Sequence, residues 1–332
     1  MFESLTLHGQ TFAPALFCAP MAGITHSAFR RLVSDFGGYG ALFTEMLSVK
    51  ALRNETFANS PYVRRRPQEG RVIYQILLSD TEDLDAIMGR IRSYEPAGVD
   101  VNLACSAPDI RSSRAGSALF EDEERMQRVL EGVRRGFDGP VTAKIRLGHD
   151  RPDWQTGFAH RLAAIRNCGV DAVILHPRFV GQKLRRHARH DLLAWAAAEA
   201  RLPLIVSGDL TCAEDANARQ ADLSHAAGLM IGRMAAAQPW VFAQWRGEKP
   251  AVDPVAVWMR FFDYVIEDFA PDRQLTRIKM FTEYFARNFA FGHTLFAQIQ
   301  SADSMDRARQ RAAAFFTAAP SVVTRPSVTG IS

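Results

Sequence analysis

Short apolar runs alternate with helical patterns from Ala15 to Ile231. The runs are Ala15–Ala19, Ala41–Thr44, Arg71–Leu78, Val99–Leu103, Val141–Arg146, Ala172–Leu175, Leu204–Ser207 and Gly228–Ile231. Between them, apolar residues recur at helical spacing over Ser27–Phe36, Thr81–Tyr94, Asp122–Arg135, Gln155–Cys168 and Cys212–Ala221, with Ser27, Thr81 and Thr211 as the expected caps. Strands alternating with helices at a spacing of roughly 30 residues predict parallel βα units. Eight such units close a (β/α)8 TIM barrel, so the predicted class is α/β. An open doubly wound sheet is the alternative, and it normally carries a glycine-rich turn after its first strand. Here that turn reads Ala19-Pro20-Met21-Ala22-Gly23, which favours the barrel.

The pattern changes after Gly247, where Glu248-Lys249-Pro250 interrupts it. Val255–Phe269, Arg273–Phe289 and Ala302–Ala318 read as amphipathic helices with no strand run between them. The expected organisation is a catalytic barrel over 1–247, a C-terminal all-helical domain over 248–320 and a loose polar tail over 321–332. Phe281, Phe285 and Phe289 recur at a spacing of four and are expected in the core of the helical domain.

Composition narrows the class without naming a function. The chain has 332 residues, 47% hydrophobic and 23% charged, as ordinary globular proteins do. No apolar run reaches membrane-spanning length, and Met1-Phe2-Glu3-Ser4 does not open a secretory signal. Cys18, Cys105, Cys168 and Cys212 form no C-x-x-C pair, so neither a disulfide framework nor a metal centre is expected. The expectation is a cytoplasmic protein, monomeric, with any important thiol acting alone. Net charge is only +4, and arginine supplies most of the 40 basic residues, a bias that a GC-rich genome explains.

Barrels of this class place chemistry at the C-terminal ends of their strands. The third run holds Gln75 among apolar residues, where a buried amide needs partners for donor and acceptor alike; a flat heterocycle or the protein itself could provide them. Cys105 follows the fourth run, and an ordinary thiol, mostly protonated at pH 7, suits a proton donor better than a nucleophile. Lys144 and Arg146 stand two apart, hence on one face of the fifth strand, and need anionic partners there or salt bridges in the barrel core. His176 ends the sixth run. Ser207-Gly208-Asp209 and Gly232-Arg233 end the seventh and eighth, the usual phosphate corner of such barrels. Phosphate corner, cationic face, amide and thiol together suit FMN with a substrate stacked on it.

In these motifs the chain resembles the tRNA-dihydrouridine synthases, FMN enzymes that reduce uridine in tRNA, and its opening is most similar to the B-type bacterial members. The shared landmarks are Ala19-Pro20-Met21-Ala22-Gly23-Ile24-Thr25 with Phe29-Arg30, Thr44-Glu45-Met46, Gln75, Asn102 to Ser117, Lys144-Ile145-Arg146, His176, Gly208-Asp209 and Gly232-Arg233. The resemblance implies that Pro20, Met21 and Ala22 pass along the flavin, and that Gln75 and Lys144 contact its ring edge. It assigns ring, ribityl or phosphate contacts to His176, Ser207, Gly208, Asp209, Gly232 and Arg233. Cys105 becomes the proton donor and Asn102 the active-site asparagine, with Arg146 and Arg178 towards the RNA side. The implied reaction uses NADPH to reduce FMN, then a hydride from flavin N5 to uracil C6 and a proton from Cys105 to C5. The tRNA must present its base flipped out.

The family loop usually reads Asn-x-Gly-Cys-Pro, whereas here it is Asn102-Leu103-Ala104-Cys105-Ser106. Two other readings follow: an FMN barrel reducing a small alkene or pyrimidine without RNA, and a non-catalytic RNA-binding descendant. Among basic clusters, Lys183 to His190, with Arg185 and Arg186, is expected to meet RNA, while Arg64-Arg65-Arg66 reads as a solvated face. Arg277 and Lys279, with Tyr284 and Arg287, resemble the family's tRNA-binding helices.

Overall fold

All eight apolar runs form parallel strands of one closed barrel. The computed structural model describes residues 2–81, 83–182 and 186–329. The strands are β1 (Leu5–Leu7), β2 (Gln10–Phe12), β3 (Leu16–Cys18), β4 (Ala41–Phe43), β5 (Leu47–Ser48), β6 (Val72–Leu77), β7 (Gly98–Leu103), β8 (Val141–Arg146), β9 (Ala172–His176), β10 (Leu204–Ser207) and β11 (Gly228–Ile231). The order β4-β3-β11-β10-β9-β8-β7-β6 closes through a β4–β6 pairing, and β5 extends the edge of β6. β1 and β2 form an antiparallel hairpin that the sequence pattern does not predict, since three residues are too few to show alternation. Its Leu5, Leu7 and Phe12 join Ala15, Phe17, Phe43, Ile73, Ile174, Ile205 and Met230 in an inner core that plugs the barrel.

The two-residue period of a strand decides what faces inward. Gln75, Asp100 and Thr142 are register partners across β6, β7 and β8. Asn102 and Lys144 pair one level higher, and Arg146 pairs with His176. On this side the polar levels therefore lie above the apolar plug, towards the strand ends where the site is built.

The expected caps do not cap. His26 precedes the helix Ser27–Ser34, and the Ser27 hydroxyl instead donates to Asp268 Oδ2 at 2.5 Å. Asp83 and Cys212 occupy the other two cap positions, while Thr211 bonds Asp215. No helix among the described residues is long and apolar enough to cross a membrane.

Beyond the barrel, helices run over Pro254–Asp268, Pro271–Phe285, Gly292–Gln300 and Met305–Thr317. The pattern read as one helix to Phe289 ends at Phe285 in a short 3-10 turn, and Gly292–Gln300 is an additional helix. Phe281 and Phe285 are fully buried and Phe289 nearly so, as their spacing predicts. Phe281 stacks on Phe261 at 3.9 Å between ring centroids.

The arginine run at 64–66 is not a solvated face. Arg66 donates to Asp268 at 2.5 Å and Arg64 at 3.4 Å, with Arg31 on the same carboxylate, while Arg65 pairs with Glu95. The bonds to Asp268 clamp the helical region to the barrel. The tail is not loose over 321–329 either. Val322 bridges Phe289, Val323 N–H donates to Asn288 O at 2.7 Å, and Pro326 and Val328 are buried. Pro326 and Val328, two apart and both buried, supply the apolar side by which it docks.

Candidate active site

The strand ends enclose two joined clefts. The larger is ≈ 590 Å³ and is lined by Pro20, Met21, Ala22, Cys105, Lys144, Arg146, His176, Ser207, Gly208, Asp209, Gly232 and Arg233, together with Tyr284 and residues 326–329 of the tail. The smaller, ≈ 200 Å³, continues it past Cys105 to Gln75, Asn102, Ala104 and Met46. Fourteen of the residues expected from sequence thus meet in one place. The combined space falls in the range of about 300–1,000 Å³ usual for small-ligand sites.

On the inner side, hydrogen bonds run from strand to loop. Asp100 accepts from Thr142 Oγ1 at 2.6 Å and from Gln75 Nε2 at 2.7 Å. Gln75 Oε1 accepts from Asn102 Nδ2 at 2.8 Å. Asn102 Oδ1 accepts from the N–H groups of Ala104, at 3.1 Å, and Cys105, at 2.9 Å. The Ser117 N–H closes the loop onto Cys105 O at 2.8 Å. These bonds hold the Ala104-Cys105-Ser106 loop in place. Gln75 is therefore half satisfied by the protein, with one N–H and one lone pair left for the cleft.

Cations crowd the middle. Burial, then the like charge of Arg146, pulls Lys144 below its ordinary range, and burial does the same to Arg146. Burial, then Lys144, Arg146, Arg178 and Arg233, holds His176 well below its ordinary value, so it is neutral at pH 7. Arg178 donates to His176 Nε2 at 2.5 Å. A guanidinium cannot accept, so the imidazole proton lies on Nδ1.

On the outer side one carboxylate gathers its surroundings. Asp209 Oδ1 accepts from Arg178 at 2.5 Å and Arg233 at 3.3 Å, and Oδ2 from the Ala188 N–H at 2.8 Å. Arg219 reaches the Asp209 carbonyl and His190 Nδ1, each at 3.3 Å. Gly208 adopts φ +102°, and a Cβ there would come within 2.8 Å of His176, so the imidazole packs on a backbone that a side chain would displace.

Several expected positions also make contacts within the protein. Arg178 is 1% exposed and serves Asp209, His176 and the Arg186 carbonyl instead of facing RNA. Arg233 reaches both Asp209 and the tail carbonyl of Val328, at 3.0 Å. Arg277 ties the helical region to the barrel through Tyr62 Oη at 2.9 Å and the Gly23 carbonyl at 3.4 Å. Lys279 is half-buried and lines neither cleft. Arg186 is exposed, and its neighbour His187 lines the larger cleft; Arg185 lies outside the described residues. Sequence reading missed Asp100, Thr142 and Arg219 as site residues, and had His190 only within the basic cluster expected to meet RNA. An aspartate inside the apolar run Gly98–Leu103 was the available signal for the first.

The dihydrouridine synthase (Dus) family matches residues 17–319. Among curated proteins, tRNA-dihydrouridine synthase B of Pasteurella multocida is 30% identical over 68% of this chain and 67% of its own length. Its counterpart in Proteus vulgaris is 32% identical over 69% and 70%. A probable tRNA-dihydrouridine synthase of Rhodobacter capsulatus is 31% identical over 73% and 74%. Among solved structures, the old yellow enzyme of Trypanosoma cruzi overlays with a TM-score of 0.54 at 11% identity, covering 76% of this chain and 93% of that one. Morphinone reductase gives 0.54 at 13%, covering 77% and 92%. These two likenesses concern the barrel fold alone.

Proposed function

This chain belongs to the dihydrouridine synthase family, and from that premise we propose that it reduces uridine in tRNA to 5,6-dihydrouridine, with FMN bound in the cleft and NADPH as reductant. The observation that carries the reading is the continuity of one cleft. It runs from a cation-rich corner at β10 and β11 to a thiol held at the end of β7.

The residues present fit FMN. The donor set has positive charge at one end and amide edges at the other, and the glycine backbone at 208 and 232 leaves room for close approach. Arg233, Ser207 and Gly208 would hold the phosphate end, and His176, Lys144 and Gln75 the ring. Asp209 keeps Arg233 aimed into this corner. Bound FMN supplies the electrons that reduce the C5–C6 bond.

The chain's own residues do the rest. Cys105 delivers the proton at C5. Lys144 and Arg146 interact electrostatically with Cys105 and line the same cleft, so they stabilise negative charge building on the uracil. A stacked base cannot enter so narrow a space, so the RNA presents its uridine flipped out. Arg186 and His187, exposed beside the cleft, provide a basic approach for the tRNA backbone.

The deciding measurement is dihydrouridine in tRNA from a strain lacking the activity, with this protein supplied. Cys105→Ala should keep bound flavin and NADPH oxidation, yet lower product by about 10²–10⁴-fold, the usual worth of a general acid. Unchanged product would remove Cys105 from the chemistry. A yellow protein that reduces small alkenes but returns no dihydrouridine would replace the tRNA reading with the small-molecule one.

A further inference from the structure

Asp100 takes no part in the chemistry above, yet it is fully buried on the inward face of β7, one level below the cleft. Everything between it and Cys105 is a single file of hydrogen bonds. Thr142 and Gln75 donate to Asp100, Asn102 donates to Gln75, and the N–H groups of Ala104 and Cys105 donate to Asn102.

The direction of this file is fixed at its two ends. A backbone N–H can only donate, and an ionised carboxylate can only accept. The Gln75 and Asn102 amides between them have nearly symmetric shapes and two orientations each. Only one combination serves both ends. If Asn102 were turned over, its NH2 would face two N–H groups and the Cys105 loop would lose both bonds.

We propose that Asp100 is a positioning residue whose carboxylate sets the orientation of Gln75 and Asn102, and through Asn102 the conformation in which the Cys105 thiol meets its substrate. The consequence for turnover rests on the proposed function; the positioning itself does not.

The logic separates isosteric substitutions. Asp100→Asn keeps the direction, because the Thr142 hydroxyl can turn from donor to acceptor and take the new NH2, leaving the carbonyl for Gln75. Thr142→Val keeps the direction too, because the carboxylate remains. The double variant D100N/T142V removes the last group that tells the two ends of residue 100 apart. Only the loop N–H groups then oppose the turned-over file, so that orientation gains population and the Cys105 loop loosens.

The test uses the full chain without RNA or reductant, at a pH above the raised range of Asp100, where its carboxylate is ionised. Cys105 alkylation by iodoacetamide is followed by peptide mass spectrometry, alongside amide exchange over residues 103–106. Each single variant should stay within about twofold of the parent, while the double should react and exchange about tenfold faster, a coupling typical of residues in one network. Equal rates in all four proteins overturn the proposal. So does an additive rise, in which the double shows only the product of the two single effects, since independent loosening gives that. Asp100→Ala should match the double; parent-like rates in a folded D100A would also overturn it. Because neither readout involves uridine, failure of the tRNA reading and failure of this one are told apart.

Discussion

The two sides of the barrel mouth hold their side chains by different physics. Across β6, β7 and β8, a file of amides links Asp100 to the Cys105 loop, and each bond depends on which atom donates. Beyond β9, β10 and β11, Asp209 collects two arginines and a backbone N–H, and net charge decides the arrangement. The first side transmits orientation and fails when the hydrogen-bonding sense changes. The second tolerates rearrangement and fails when Asp209 is lost.

Removing that anion should give the largest effect. Asp209→Ala leaves the buried Arg178 without its carboxylate, which costs about 3–5 kcal/mol of stability when a buried ion pair is broken from one side. Urea unfolding measures it; a loss below about 1 kcal/mol, the scale of an exposed pair, would show that charge does not organise this corner. Next, Arg233→Ala should weaken FMN retention about tenfold, the scale of one charged hydrogen bond, as read by flavin fluorescence on dilution. Unchanged retention would move the phosphate elsewhere.

The two carboxylates also respond oppositely to pH. Burial would raise Asp209, but the Ala188 N–H and the Arg178 guanidinium outweigh it and hold the group below its ordinary range. Its stabilisation is present above about pH 4 and lost as pH falls further. At Asp100 burial outweighs the bonds from Thr142 and Gln75, so the group titrates above its ordinary range. There the folded state binds the proton more tightly than the unfolded one, and stability declines as pH rises from about 4 towards neutrality. Relative to the parent, Asp209→Asn should therefore recover in acid, and Asp100→Asn should gain towards pH 7. Parallel unfolding curves across that range would erase the contrast. The smallest expected effect lies outside both sides: Arg186→Ser should flatten the salt dependence of tRNA binding by a slope of about 1.

The barrel was legible because each of its strands is an apolar run between helical patterns, a signal carried by neighbouring residues. Interactions between distant residues were less so. Arg178 follows a strand end, where a cation reads as a ligand contact, but Asp209, distant in sequence, draws it inward. Arg64 and Arg66 looked solvated until Asp268 of the helical region reached them. The Asp100 file depends on strand register, which places Gln75 and Thr142 on either side of it and which no local pattern encodes. Cys105, Lys144 and His176 were found because strand ends alone locate them.

One bond sets a timetable for synthesis. Arg233 donates to the carbonyl of Val328, 95 residues further along the chain, and residues 326–329 form a wall of the larger cleft. A nascent chain emerging from the ribosome can close its barrel once β11 has appeared, but it still lacks that wall. The finished cofactor cleft thus exists only after the helical region and the strand of tail behind it have been released. With FMN in this cleft as proposed, its capture in this form waits until residues 326–329 have emerged.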